Sequence, residues 1–374
     1  MLLRCHILTL LLLISSIAYA EIEPTTLVSK DSAATMSDSI YAAQDSIRRK
    51  KKFFLLSLLD KALDVDSNYI ESNKFKVTIL TQGDWRYKTI RLRANDDEGH
   101  HQSLYFSPKS QVTVGPYFGY SLLFLGITLD IGTQKLSDHT NTYFSIYAPM
   151  FGFDYYAERD VNGYRISNMS GFNKEITKAS EGMRFPGLSS NMRYFHFYYI
   201  FNHRHFSYPA AYAQSTIQRK STGAFIFGYN YSRQKINFDY EKLPSPFYDA
   251  DGNLLINEGL KVHEVKYINH SFSLGYSFNW VFAHNWLFNL TASPSIGYNF
   301  TKGERFSSEK IYRLRNVNFD FIGRTAIVWN SQRLFAGGLF TAHTYAYKQA
   351  TFSCQNSLFY AQLYMGINLW RKKK

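Results

Sequence analysis

Residue types that could do chemistry gather at a few places in the chain. His203 and His205 stand two apart, with Ser207 close by. Histidines at i and i+2 leave a strand on one side and could hold a metal. A His–Ser pair could instead serve acyl transfer on a lipid. No acidic partner is near in sequence, and polar histidines also belong to ordinary turns. Asp154 and Glu158 are four apart, as are Asp320 and Arg324, so in strands each pair shares a face. Such groups inside a pore wall set ion preference or bind a ligand; they can equally pair and fill the interior, which a narrow barrel favours. His100 and His101 follow Asp96, Asp97 and Glu98 in what reads as a solvated loop. There is no glycine-rich phosphate loop, nucleophile elbow or paired metal motif. No cofactor, no metal and no assigned catalytic residue are therefore expected. The four carboxylate and guanidinium residues are the lumen-facing candidates; His203, His205 and Ser207 are the weaker ones.

The elements that must position them show a period of two. Ile268, Phe272, Leu274, Tyr276, Phe278 and Trp280 fall on one face, and Asn269, Ser271, Ser273, Gly275, Ser277 and Asn279 on the other. After a break at 281–284 the pattern restarts. Trp286, Phe288, Leu290, Ala292, Ile296, Tyr298 and Phe300 oppose Asn289, Thr291, Ser293, Ser295, Gly297 and Asn299. These runs exceed the usual strand of about 5–6 residues. One greasy face, rich in aromatics, and one face of small polar residues suit a wall between lipid and a wet or packed lumen. The expected fold is all-β: a transmembrane, antiparallel, up-and-down β-barrel of about 12 strands (10–14 by the count of alternating runs), spanning 65–370.

Composition fits this. Of 374 residues, 17 % are aromatic, with 29 Tyr and 31 Phe, as membrane-interface girdles require. A mean hydropathy of −0.28 argues against a helical membrane protein but not against strands that are half apolar. The formal net charge of +13 would suit nucleic acid, but no such motif is present, and much of the charge sits at 48–52 and 371–374. Outer-membrane lipids, not nucleic acid, are the expected partners.

Residues 1–20 read as a signal peptide: Arg4, an apolar stretch, then Ala18-Tyr19-Ala20. Residues 21–39 read as a flexible linker, 40–64 as a periplasmic amphipathic helix and 371–374 as a basic tail. Once the leader is cleaved, Cys354 is the only cysteine left. Breaks at Gly83-Asp84 and near 202–205 are expected, and 206–216 reads either as an extension of the preceding strand or as a separate one. Long polar connections alternate with short ones, which puts short turns in the periplasm and long loops outside.

Asp66-Ser67-Asn68-Tyr69-Ile70, then Phe201-Asn202 with Phe206-Ser207-Tyr208, then Ser221-Thr222-Gly223-Ala224-Phe225 resemble an uncharacterised family of Bacteroidota outer-membrane barrels, known only as a domain of unknown function. The resemblance runs from about Val65 to Trp370. It implies an outer-membrane location in a Gram-negative bacterium, insertion by the barrel assembly machinery and no known chemistry. Barrel strands commonly finish on a terminal aromatic; here Arg371-Lys372-Lys373-Lys374 follow Trp370.

Three functions follow as alternatives. The first is an outer-membrane barrel for small-solute passage or binding, or for envelope maintenance. The second is an outer-membrane enzyme acting on lipid or lipopolysaccharide through His203, His205 or Ser207. The third is a secreted β-sandwich adhesin, whose apolar faces would pack on each other. Oligomeric state stays open.

Overall fold

The computed structural model describes residues 63–95, 99–120, 123–126, 129–130, 140–304, 315–348 and 352–372, all within one compact unit, Lys61–Lys374. The expected leader, linker, basic group at 48–52 and all but the end of the expected helix lie outside the described residues, as do Asp96, Asp97, Glu98, Lys373 and Lys374.

In chain order the strands are β1 (Ile70–Ser72), β2 (Phe75–Asn95), β3 (His101–Ser107), β4 (Gln111–Tyr120), β5 (Leu123–Gly126), β6 (Leu129–Asp130), β7 (Thr140–Tyr147), β8 (Phe151–Val161) and β9 (Arg165–Ser170). Helix α1 (Lys174–Ser180), β10 (Leu188–Ile200), helix α2 (Tyr208–Tyr212), β11 (Thr216–Gln218) and β12 (Thr222–Phe238) follow. Then come β13 (Glu264–Ala283), β14 (Trp286–Glu304), β15 (Arg315–Asn330), β16 (Leu334–Lys348) and β17 (Phe352–Arg371). Twelve strands form one antiparallel path, β5-β4-β2-β17-β16-β15-β14-β13-β12-β10-β8-β7. The last strand, β17, pairs along nearly its whole length with the first long one, β2, from Phe352↔Ala94 to Arg371↔Phe75.

The sheet is curled. β2 and β8 stand eight places apart on the path, about 38 Å in a flat sheet, yet Lys88 of β2 forms an ion pair with Glu158 of β8. Arg324 of β15 likewise pairs with Asp154 of β8.

Its faces are reversed relative to a water-soluble protein. On β13, Phe272 is 58 % and Leu274 60 % exposed, whereas Ser271 and Ser277 are fully buried. Leu290, Ile296, Val317, Phe319, Leu363 and Met365 are also exposed, and Asn289, Thr291, Asn299, Asn318 and Asn356 are buried. In water each such exposed side chain would forgo about 1.5–3 kcal/mol of burial; facing hydrocarbon it does not. The β-sandwich alternative needs these rows to meet each other, and they point outward instead.

Three expectations change. Gly83-Asp84 does not break a strand: β2 runs unbroken through it, and Asp84 is buried on the inner face. Residues 206–216 add no wall strand. They belong to an insert, 201–221, between β10 and β12 that carries α2 and β11. The loop expected at 160–190 contains β9 and α1.

Both ends carry apolar packing. At the end of the long connections, Ile90, Leu104, Phe106, Phe185, Phe238 and Phe247 are part of one buried cluster. At the end of the short turns, Phe206, Tyr208 and Tyr212 of the insert pack with Tyr198, Leu287 and Val328 of the wall.

Candidate functional site in the barrel lumen

All four carboxylate and guanidinium candidates are buried on the inner face, but their partners are not those that sequence proximity offers. Arg324 pairs with Asp154, 2.5 Å away, not with Asp320. Ser145 Oγ donates to the same carboxylate at 2.5 Å, and His196 Nδ1 lies 3.5 Å from it. The Arg324 guanidinium also sits 5.9 Å from the Tyr198 ring centre. Tyr198 reaches this place because its register partner on β8 is Gly152. A Cβ at 152 would lie 2.1 Å from the Tyr198 ring.

Glu158 belongs to a second layer. Lys88 pairs with it and donates to Ser190 Oγ at 2.8 Å, and Tyr156 OH donates to Glu158 Oε2 at 2.7 Å. Asp84 accepts from Tyr360 OH at 2.7 Å. Two charge-paired layers thus brace strands on opposite sides of the lumen.

Asp320 sits apart. Asn269 Nδ2 and the Ala346 N–H donate to it, and no described cation pairs with it. Near it in the sheet, four adjacent strands present buried polar atoms that have no hydrogen-bond partner among the described residues. Among them are Asn230 Nδ2 and Ser232 Oγ on β12, Asn269 Oδ1 on β13, both amide atoms of Asn299 on β14, and Asn318 Nδ2 on β15. Ser232 and Asn299 are each register partners of Asn269.

The insert closes the short-turn end. Ser207 Oγ caps α2 by accepting from the Ala210 N–H at 3.2 Å, and it bonds Thr216 Oγ1 at 2.6 Å. Tyr212 OH donates to Asn289 Oδ1 at 2.6 Å. Gln218 ties the insert to itself and to the wall: its Oε1 accepts from the Ser207 and Asn279 nitrogens, and its Nε2 donates to the His205 carbonyl. Glu71 on β1 holds the insert from below, bound by Lys74, Arg219 and Gln332. Partial burial raises the Glu71 carboxyl, but hydrogen bonds from Lys74 and Arg219 outweigh this and hold it below its usual range.

His205 faces Asp66, with Nε2 3.4 Å from Oδ2, and its Nδ1 lies 3.1 Å from Asn202 Oδ1, which can only accept. Hydrogen bonding from the Asn68 N–H keeps the Asp66 carboxyl below its usual range. The hydrogen bonds shown for Ser207 Oγ go to Ala210 and Thr216. The structure therefore places His203, His205 and Ser207 in the insert and its turn, with Ser207 committed to capping.

Lys88, Asp84, His196 and Tyr198 were missed from the sequence. The parity of β2 carries straight through Gly83-Asp84 and would have placed Asp84 and Lys88 inward; the pairing of His196 with Asp154 depends on the curl and leaves no local trace.

Among solved structures, the chain is similar to the outer membrane protease OmpT of Escherichia coli: 7 % identity over 80 % of this chain and 98 % of that one, TM-score 0.35. It is also similar to the translocator domain of the autotransporter NalP of Neisseria meningitidis, with 8 % identity over 88 % and 99 % and TM-score 0.24. A third is the toluene transporter TodX of P. putida, with 8 % identity over 79 % and 91 % and TM-score 0.21. These likenesses carry nothing about activity. No curated protein matches. The curled sheet, outward apolar rows and polar lumen are those of an outer-membrane β-barrel whose specific activity is not established. Residues 64–368 match the domain of unknown function DUF4421, and the chain belongs to that family.

Proposed function

We propose that this protein is a plugged barrel that binds a small polar solute in its lumen and passes it only when the 201–221 insert gives way. The observation that carries this reading is that at least six buried polar atoms on β12–β15, beside Asp320, have no hydrogen-bond partner among the described residues. Left dry, each would cost about 1–3 kcal/mol. The sum, roughly 6–18 kcal/mol, rivals the whole stability of a typical domain. Such a surface is stable against a polar occupant, and amides beside one carboxylate suit a neutral hydroxylated or a cationic solute. The paired layers above and the tyrosines of the insert below argue against an open pore. The family resemblance supports a Bacteroidota source, export by the leader at 1–20 and insertion by the barrel assembly machinery.

The test is liposome uptake of a panel of labelled monosaccharides, amino acids and polyamines, with single-channel recording alongside. Wild-type protein is expected to show no steady open conductance. A Tyr208→Ala/Tyr212→Ala variant should conduct, with uptake that falls on adding Asn269→Ala/Asn299→Ala. Steady open-pore conductance in the wild type, or uptake indifferent to both amides, would refute the reading.

A further inference from the structure

On the outer wall, four adjacent strands change character at one level. Going toward the long connections, the outward row of β8 passes from Tyr155 and Ala157 to Arg159, and that of β10 from Phe195 to Arg193. β12 passes from Tyr229 and Tyr231 to Arg233 and Lys235, and β13 from Ile268 to Lys266. Each row meets a cation where its apolar stretch ends, as expected at the boundary between hydrocarbon and headgroups.

Two features go beyond a generic basic rim. Arg193 and Arg233 are direct register partners, and neither forms an ion pair with a described residue. Like charges placed opposite each other on neighbouring strands repel, so the pair is favoured only when an anion lies between. Lys235 and Lys266, one step further along, share Glu264 instead. Directly beneath Arg193 the wall also has a hollow of about 400 Å³, lined by Tyr155, Arg193, Tyr194, Phe195, Tyr229 and Tyr231. Tyr229 OH meets His270 Nδ1 at 2.7 Å on the same surface, giving the hollow a polar edge.

We propose that this patch binds the phosphorylated headgroup of an anionic membrane lipid. Arg193 and Arg233 grip the phosphate together, as planar guanidinium groups do. The tyrosine-lined hollow takes the sugar or glycerol next to it, and the acyl chains lie along Phe195, Phe197, Phe225 and Phe227 below. Lipid is the source favoured, because the cations sit at the end of a lipid-facing belt and the hollow opens from that same surface. This assignment does not depend on what the lumen holds.

Native mass spectrometry of the full chain in detergent, titrated with bisphosphorylated lipid A, tests it. Wild type should retain one lipid, and Arg193→Gln/Arg233→Gln should weaken retention about tenfold or more. A Lys235→Gln control should change it less than threefold. Unchanged heat-modifiable migration of the double variant will show that the barrel still forms. Dephosphorylated lipid A should bind no better than background, and millimolar inorganic phosphate should not displace the lipid. Equal retention by the double variant, equal binding of dephosphorylated lipid, or displacement by free phosphate would each overturn the assignment.

Discussion

Replacing Arg324 by methionine tests the packed lumen most sharply among single substitutions. The change keeps the length and removes the charge, leaving Asp154, 2 % exposed, facing only Ser145 and His196. Breaking a buried ion pair by removing one partner typically costs about 3–5 kcal/mol, because the other charge stays behind. The two remaining polar contacts argue for the lower half of that range, so about 3 kcal/mol is expected. Removing both charges, with Asp154→Leu/Arg324→Met, should recover most of the loss, since a well-packed apolar pair is often as stable as the ions it replaces. Urea unfolding in lipid vesicles, followed by tryptophan fluorescence, gives both values, with the slope of the transition unchanged if only stability has moved. A single variant that costs less than 1 kcal/mol, with no coupling to position 154, would mean that this layer does not brace the wall.

The Glu71 clamp predicts a pH dependence. A carboxyl held below its usual value of 4.5 adds stability that is present above that value and lost as pH falls through the lower folded one; Glu71→Gln should therefore flatten the acid limb of a pH–unfolding curve below that usual value. Gly152→Ala, which drives a methyl group into the Tyr198 ring, should destabilise the barrel by about 1–3 kcal/mol, and adding Tyr198→Ala should relieve part of that clash. Leu274→Arg, in the middle of the outward row of β13, should cost about 2–4 kcal/mol in a bilayer.

The wall was legible in the sequence because each of its strands obeys one local rule. Between Ile268 and Phe300 lipid and lumen alternate residue by residue, and the structure keeps that alternation: Phe272 and Leu274 out, Ser271 and Ser273 in. The inward placement of Asp154, Glu158, Asp320 and Arg324 followed from the same parity. Their partners did not, because the curl of the sheet brings β15 to β8 and β2 to β8, contacts 170 and 70 residues apart in the chain. The insert at 201–221 escaped for another reason. Phe206, Tyr208 and Tyr212 look like strand residues locally, and only tertiary packing against Tyr198 and Leu287 sets them apart from the wall. Ser207 drew notice as a nucleophile, yet Ser-Tyr-Pro is equally a helix start, with Ser as the cap and Pro in the first turn.

The reversal of faces underlies everything above, and cysteine scanning of β13 with spin labels in bilayers tests it most directly, in a Cys354→Ser background. Labels at 272, 274, 276, 278 and 280 should collide freely with dissolved oxygen and hardly at all with a water-soluble nickel chelate, while labels at 271, 273, 275, 277 and 279 should be shielded from both. The account is contradicted if the even-numbered labels are shielded from oxygen, or if they meet the nickel chelate as readily as a surface loop does.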